Sequence, residues 1–175
     1  MTIEAISSAI YNDVVSGLRG LTSNPTISME QLQDEVVAER NTIIKEYLLK
    51  GIITLEDLYL AINCIEVDCD YMSKCCNLPV GKKALHFEIP ATLNLGAVNT
   101  IKFIGSIDRQ VSYAVYTDES YKFHEYRKRS NQSPYVYVDP TINNNGNLDC
   151  YVFNAPYAKY LSVVALFKDP RKVIE

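Results

Sequence analysis

YVYVDPTINNNGNLDCYVF, residues 135–153, has the pattern of a β-hairpin with an extended tip. Aromatic and β-branched residues fill its two ends, at residues 135–138 and 150–153. Between them lies an asparagine-rich segment that contains Asn145-Gly146, and Asn-Gly tolerates the positive φ angles of tight turns at low cost. This stretch predicts antiparallel β-structure in the second half of the chain.

Short segments of the same character surround the hairpin. Turn-forming residues separate them, and this spacing is typical of an antiparallel sandwich or a small barrel. The predicted strands cover residues 84–89, 100–104, 112–116, 121–126, 135–138, 149–153 and 159–167.

The N-terminal third of the chain has helical periodicity instead. Its first apolar residues recur at spacings of three and four, which places them on one side of a helix. They are Ile3, Ile6, Ile10, Val14 and Leu18. A second helix is predicted to begin after Ser28, because Ser28 and Gln31 form a capping-box pattern, and to end at Lys50 before Gly51.

Helices precede strands, so the fold class is expected to be α+β. The prediction is an N-terminal helical hairpin, or a three-helix segment with a short third helix at 55–62, followed by an antiparallel β-sandwich or small barrel. One compact domain would contain four parts. These are a helical segment (2–62), a cysteine-containing connector (63–82), a β-rich part (83–168) and a C-terminal tail (169–175).

The second helix carries two apolar stripes that could face different neighbours. The first stripe consists of Met29, Leu32, Val36, Ile43 and Tyr47. The second stripe consists of Val37, Ile44 and Leu48, and we take it as a candidate contact with another protein. Arg40 lies between the stripes. It either lays its methylene groups on the core with its charged end in water, or pairs with a carboxylate where two neighbours meet.

Four of the five cysteines, Cys64, Cys69, Cys75 and Cys76, are close together in the sequence. Four thiolates could hold a zinc ion, but structural zinc sites usually present two close Cys pairs, and this spacing is poor for that. Free thiols are therefore the first interpretation, and we expect no metal or cofactor. A zinc-stabilised protein-binding module built on these cysteines is the alternative.

The sequence offers little for catalysis. Nucleophilic catalysis needs a Cys or Ser beside a base, which is usually His. Only His86 and His124 occur, each in an alternating, strand-like segment. We therefore expect that the protein is not an enzyme, with a cytoplasmic enzyme of unfamiliar type as a second alternative.

Composition restricts the partners. The net charge of −4 argues against a broad basic surface for nucleic acid, because phosphate contacts need clustered Lys and Arg. Arg127-Lys128-Arg129 is the only dense basic run, and it predicts a solvated loop or docking to an acidic protein surface or passing DNA. The chain has 13 Tyr and no Trp, and tyrosine suits surfaces that pack against another protein.

No apolar run is long enough to suggest a membrane span, and the N-terminus lacks the basic start and apolar stretch of a signal peptide. We therefore expect no membrane partner and maturation in a cytoplasm.

Several stretches resemble a family of structural proteins from crAss-like tailed bacteriophages. The resemblance covers the helical third closely and the β-rich part loosely. The stretches are SAIYNDVVSGL (8–18), LTSNP (21–25), IIKEY (43–47), INC (62–64), VDC (67–69), KC (74–75) and FKDP (167–170).

The resemblance implies a virion protein of the head–tail connector or tail barrel, assembled in the cytoplasm of the bacterial host. Such proteins form rings, typically of twelve copies, stacked below the portal around the DNA channel. The implied partners are further copies of the chain, the portal or neighbouring tail proteins, and DNA that passes without specific binding. The resemblance carries over no catalytic residues. A ring of this kind needs two different surfaces on each subunit, which the two stripes of the second helix could provide.

Overall fold

The fold is taken from a computed structural model, which describes residues 3–18, 28–71, 83–95, 100–117 and 133–173. The described segments are helical at the start of the chain and mostly strands after residue 59. This order confirms the α+β class predicted from the sequence.

The chain divides into two compact units, residues 1–57 and residues 58–175. The described residues of the first unit include the α-helices α1 (Ile3–Leu18) and α2 (Met29–Leu49), which contact each other. The strands belong to the second unit. In the described residues they are β1 (Leu60–Glu66), β2 (Asp68–Tyr71), β3 (Lys83–Pro90), β4 (Ile101–Gly105), β5 (Ala114–Tyr116), β6 (Tyr135–Ile142), β7 (Asn147–Phe153) and β8 (Tyr160–Ala165).

The start of α2 confirms the predicted capping box. The Gln31 backbone N–H donates to Ser28 Oγ at 3.1 Å, and the Gln31 side chain accepts from the Ser28 N–H at 3.0 Å. The helix ends where the sequence indicates, because the Lys50 N–H donates to the Glu46 carbonyl at 3.0 Å and Gly51 follows with a φ of 66°. Positive φ at this position costs glycine little, so the chain can leave the helix here.

The predicted third helix at 55–62 is wrong. Leu55–Leu58 forms a single 3-10 turn, and β1 begins shortly after it. Leu60 and Ile62 alternate with exposed residues and pack on the core of the second unit. Pairing of β1 with β8 therefore decides the structure of a segment whose local pattern fits both a helix and a strand. The described residues before β1 form two α-helices.

The strands form two sheets. The first has the order β1-β8-β4 and is antiparallel throughout. The second has the order β2-β3-β7-β6-β5, and among its described strands the β5–β6 pair is parallel and the other pairs are antiparallel. Neither sheet closes into a barrel in the described residues, so the small-barrel alternative is wrong.

One face of each sheet contributes to a single apolar cluster. Alternate residues of a strand point to the same face, so alternate residues of β3, β6, β7 and β8 belong to it, whereas β4 contributes residues on either side of a register shift. The members include Phe87 and Ile89 of β3, Val136 and Val138 of β6, Cys150 and Val152 of β7, Ile101 and Ile104 of β4, and Leu161, Val163 and Ala165 of β8.

The hairpin at 135–153 is confirmed. Tyr135 lies opposite Phe153 and Val138 lies opposite Cys150 in the antiparallel β6–β7 pair. At its tip the Gly146 N–H donates to the Asn143 carbonyl at 3.0 Å, and Gly146 has a φ of 79°.

The other strand predictions are confirmed where the structure describes the chain, and the strand predicted at 121–126 lies outside the described residues. Two boundaries differ from the sequence interpretation. Part of the predicted cysteine connector belongs to β1 and β2. The segment assigned to a C-terminal tail is folded as far as Val173, which packs on the core at the end of a 3-10 turn that begins at Pro170.

Candidate interaction surface

The second unit carries an open groove of about 540 Å³. Two loops form its sides, and one buried tyrosine lies in it. The groove is lined by Ser106, Ile107, Asp108, Tyr113, Tyr157, Ala158, Lys159 and Tyr160.

The loop after β4 forms the first wall, and its own hydrogen bonds hold its shape. The Ser106 N–H donates to the Val111 carbonyl at 3.0 Å, and the Val111 N–H donates to Ser106 Oγ at 3.0 Å. Asp108 accepts hydrogen bonds from the Ser106 hydroxyl and from the Gln110 N–H. These bonds favour the charged form and lower the pKa of Asp108, the Ser106 hydroxyl contributing most, so Asp108 is an anion at neutral pH.

Ile107 and Val111 are exposed apolar side chains of this loop. Arg109 has a φ of 57°, a left-handed conformation that reverses the chain between them. The fixed turn therefore presents two apolar side chains to solvent beside a carboxylate.

Tyr113 anchors the groove to the core. Its side chain is buried within the main apolar cluster, and its N–H donates to the Ile104 carbonyl at 2.8 Å. Burial raises the pKa of the Tyr113 phenol, so the hydroxyl stays protonated and can donate a hydrogen bond.

The turn before β8 forms the second wall. Asn154 has a φ of 59°, and the Ala158 N–H donates to the Ala155 carbonyl at 3.1 Å, which closes a turn around Pro156. Proline suits the second position of such a turn because its φ is fixed. At the next position Tyr157 is 94% exposed, the most exposed of the large apolar side chains in the described residues.

Lys159 and Tyr160 continue the second wall. The Lys159 carbonyl accepts a hydrogen bond from the N–H of Val67, the residue between β1 and β2, at 3.0 Å. Lys159 itself is exposed. The groove thus combines exposed aromatic and aliphatic side chains with one acid, Asp108, and one base, Lys159. Aromatic residues with a few charges at the edge are the usual composition of protein–protein contacts.

A second exposed apolar surface lies on α2. Ile43 and Tyr47 are 42% and 40% exposed, and they lie one helical turn apart. Beside them Lys50 Nζ lies 3.7 Å from Glu46 Oε2 in an ion pair on the solvent side. We call Ile43, Glu46, Tyr47 and Lys50 the helical face. Leu49 and Ile52, also exposed, follow close to it in the sequence.

The predicted interface stripe of α2 is mostly buried within the chain. Val37 and Ile44 are 7% and 5% exposed, so the chain itself buries them and leaves little surface for a partner. Leu48 is half-buried. Arg40 is half-buried too, and its Nη1 donates to Asn41 Oδ1 at 2.9 Å. Two exposed apolar residues of α2, Ile43 and Tyr47, belong instead to the first stripe.

The basic run Arg127-Lys128-Arg129 lies outside the described residues, so its predicted contacts stay predictions. The same holds for Cys75 and Cys76.

Cys64 and Cys150 are free thiols with opposite environments. Cys64 is exposed and has a φ of 59°, where β1 is irregular opposite β8. Cys150 is fully buried, and desolvation raises the pKa of its thiol well above the ordinary range, with the Asp149 charge adding to the effect. In the described part of the chain, no three His, Cys, Asp or Glu side chains are grouped so that they could hold a metal ion.

His86 is placed on the outer face of the second sheet. Its Nε2 lies 3.1 Å from Asp149 Oδ1, and its ring lies 5.2 Å from that of Tyr151. His124 lies outside the described residues.

No protein-family model matches the chain, and no curated protein matches it. None of the helices in the described residues is both long enough and apolar enough to cross a membrane.

The sequence interpretation missed the groove but contained a signal for it. The excess of tyrosine after residue 112 indicates a surface that packs against protein. The excess alone does not indicate which tyrosine side chains face solvent. Asn154-Ala155-Pro156-Tyr157 places an aromatic residue directly after turn formers, and this local pattern could have singled out Tyr157.

Proposed function

We propose that the protein is a structural subunit that packs against copies of itself, in a ring of the neck or tail of a tailed bacteriophage. The observation that carries the proposal is the presence of two separate exposed apolar surfaces, the groove of the second unit and the helical face of the first. Large apolar side chains with little intramolecular cover are a common mark of protein–protein contacts.

The ring geometry gives these two surfaces a role. Identical subunits form a closed ring through head-to-tail contacts, in which one surface of each copy meets a different surface of the next. A subunit therefore needs two unlike patches. The groove and the helical face are unlike in shape, since one is a shallow, open depression between two loops and the other is the side of a helix.

A rigid scaffold suits this static role. The two sheets contribute one face each to the same apolar cluster, and we propose that they pack face to face as a sandwich. Leu161 and Ile104 from one sheet and Val136 from the other have no exposed surface. Such packing holds the loops at the ends of the strands in fixed positions.

The phage assignment rests on the resemblance of the helical third and of the segments around Cys64 and Phe167 to crAss-like phage structural proteins. It implies rings of about twelve copies next to the portal or other tail proteins. The net charge of −4 agrees with a channel protein that lets DNA slide without binding it tightly.

The test measures assembly directly. Purified full-length chain is examined by size-exclusion chromatography with light scattering and by negative-stain electron microscopy, over a wide range of concentration. We expect closed rings, and we expect the chain among the proteins of mature particles. A chain that stays monomeric at high concentration and is absent from particles would contradict the proposal.

A further inference from the structure

We infer that the helical face of one copy docks into the groove of the next copy. The inference rests on the proposed head-to-tail assembly and names the two patches that meet. In the proposed contact, Ile43 and Tyr47 enter the groove of the neighbouring copy. Glu46 then forms an ion pair with Lys159 of that copy, and Lys50 forms an ion pair with its Asp108.

The helical face has the spacing that such a contact needs. Positions 43, 46, 47 and 50 are separated by three or four residues, so their side chains lie on one side of the helix. The two apolar members are each at least two-fifths exposed. A helix that inserts apolar side chains at these spacings into an apolar groove is a recurring mode of recognition.

The groove offers matching apolar surface. Tyr157 is almost wholly exposed, and Tyr160 and Ile107 expose nearly half of their surface. An α-helix with its side chains is about 10–12 Å across, so a groove of about 540 Å³ accepts side chains from a helix that lies over it, not the helix itself. Burying these aromatic side chains against Ile43 and Tyr47 would remove apolar surface from water on both partners.

The charges select the partner. Each patch carries one acid and one base beside its apolar centre, Asp108 and Lys159 on the groove and Glu46 and Lys50 on the helical face. All four side chains are solvent-accessible, and the Glu46–Lys50 pair at 3.7 Å is an exposed ion pair of the kind that contributes little. Exchanging it for two pairs across an interface is therefore feasible, and complementary charges favour this partner over others.

The two acid–base pairs also admit a second arrangement. A groove that carries both signs could pair with the groove of another copy around a two-fold axis, since such contacts are self-complementary. That arrangement would leave the helical face uncovered. The experiment therefore reverses one charge on each patch.

Two single variants of the full chain, Lys159→Glu and Glu46→Lys, are purified separately and then mixed. In our arrangement Lys159→Glu places two acids on the groove, which repel Glu46. Glu46→Lys places two bases on the helical face, which lose the pair with Lys159. Each variant alone should need a concentration about tenfold higher than wild type, or more, for half-maximal assembly.

The mixture should recover assembly. The acidic groove of the first variant accepts the basic helical face of the second, while the wild-type groove of the second accepts the wild-type helical face of the first. Alternating rings should therefore form from two preparations that fail alone. Lys45→Glu, an exposed lysine on another side of α2, is the matched control and should assemble like wild type. Circular dichroism checks that every variant is folded.

The other results overturn the inference. If Glu46→Lys assembles like wild type while Lys159→Glu does not, the groove contacts something other than the helical face. If both assemble like wild type, neither patch forms the contact. If both fail and the mixture also fails, the patches do not face each other. In these three cases wild-type rings still support the proposed function, whereas a monomeric wild type overturns the proposed function itself.

Discussion

His86 Nε2 lies 3.1 Å from Asp149 Oδ1, diagonally across the β3–β7 pair on the outer face of the second sheet. The asparagines of the hairpin tip extend this contact. Asn143 Nδ2 donates to the same Asp149 oxygen at 3.3 Å, and Asn147 Nδ2 donates to Glu88 Oε2 at 2.9 Å. The tip of the hairpin is thus joined to its neighbouring strand by side chains as well as by backbone.

We expect Asn147→Ala to raise the pKa of Glu88. The hydrogen bond from Asn147 is the largest cause that lowers this pKa, with smaller contributions from Asn143, His86 and Asn145. A lowered carboxyl pKa adds stability that is present above the unfolded-state value and is lost as the pH falls through the folded-state value. The variant should therefore show a weaker loss of stability between about pH 5 and pH 3. The measurement is a carbon-detected NMR titration of Glu88, and an unchanged midpoint would contradict the expectation.

We expect Ser28→Ala to destabilise the start of α2 by about 1 kcal/mol, because it leaves the Gln31 N–H without its capping oxygen. Hydrogen exchange of the first-turn amides measures the effect. Thr42→Ala is the control, since Thr42 Oγ1 donates only to the Ala38 carbonyl at 3.2 Å on the exposed side of the same helix. Alanine forms helix better than threonine, so the control should be neutral or slightly stabilising. Equal losses in the two variants would argue against a role for the cap.

The structural features that the sequence predicted correctly depend on short-range interactions. Ser28 with Gln31, and Asn145 with Gly146, act over a few residues, so their geometry is largely independent of the rest of the fold. The start of β1 behaves differently. Leu60 and Ile62 fit a helix and a strand equally well, and pairing with β8, a hundred residues later, decides the outcome.

The candidate surface depends even more on tertiary structure. The two stripes of α2 are similarly apolar, and nothing in their spacing distinguishes buried Val37 and Ile44 from exposed Ile43 and Tyr47. The parallel pairing of β5 with β6 also cannot be predicted from the local sequence, because no short turn joins parallel strands. The sequence therefore predicts the class of surface, aromatic and outward, but not its location.

We expect Arg171→Gln to lower the free energy of unfolding by about 1 kcal/mol at neutral pH. The Arg171 guanidinium donates hydrogen bonds to both carboxylate oxygens of Asp169, from Nε to Oδ1 at 2.9 Å and from Nη2 to Oδ2 at 2.8 Å. This contact is the largest cause that lowers the pKa of Asp169. Its stabilisation is present above the unfolded-state pKa of an aspartate and is lost as the pH falls through the lowered folded-state pKa of Asp169, so the two proteins should converge in acid below the ordinary aspartate range. Urea unfolding at several pH values tests this, and a difference that persists in acid would contradict it.

We expect Cys64 to react with a thiol reagent in the native protein while Cys150 stays protected. Only the thiolate is reactive, and burial both shields Cys150 and raises the pKa of its thiol, whereas Cys64 is exposed. Labelling with iodoacetamide, followed by peptide mass spectrometry, gives the rate at each site. In urea the two rates should become similar. Rapid native labelling of Cys150 would contradict its position in the core.

We expect Gly105→Ala to lower the free energy of unfolding of the second unit by about 1–3 kcal/mol. A Cβ at this position would overlap the Val111 carbonyl oxygen and lie 2.7 Å from the Phe103 ring. The Val111 oxygen accepts the Ser106 N–H that shapes the first wall of the groove, so the wall must shift to make room. Gly51→Ala is the control, because a Cβ there meets nothing within 4 Å and only its φ of 66° opposes the change, at about 1–2 kcal/mol. If the overlap matters, Gly105→Ala should speed hydrogen exchange at the Ser106 and Val111 amides, whereas Gly51→Ala should leave the exchange of these two amides unchanged. Intact exchange protection in the 106–111 loop would mean that the wall accepts the methyl group without moving.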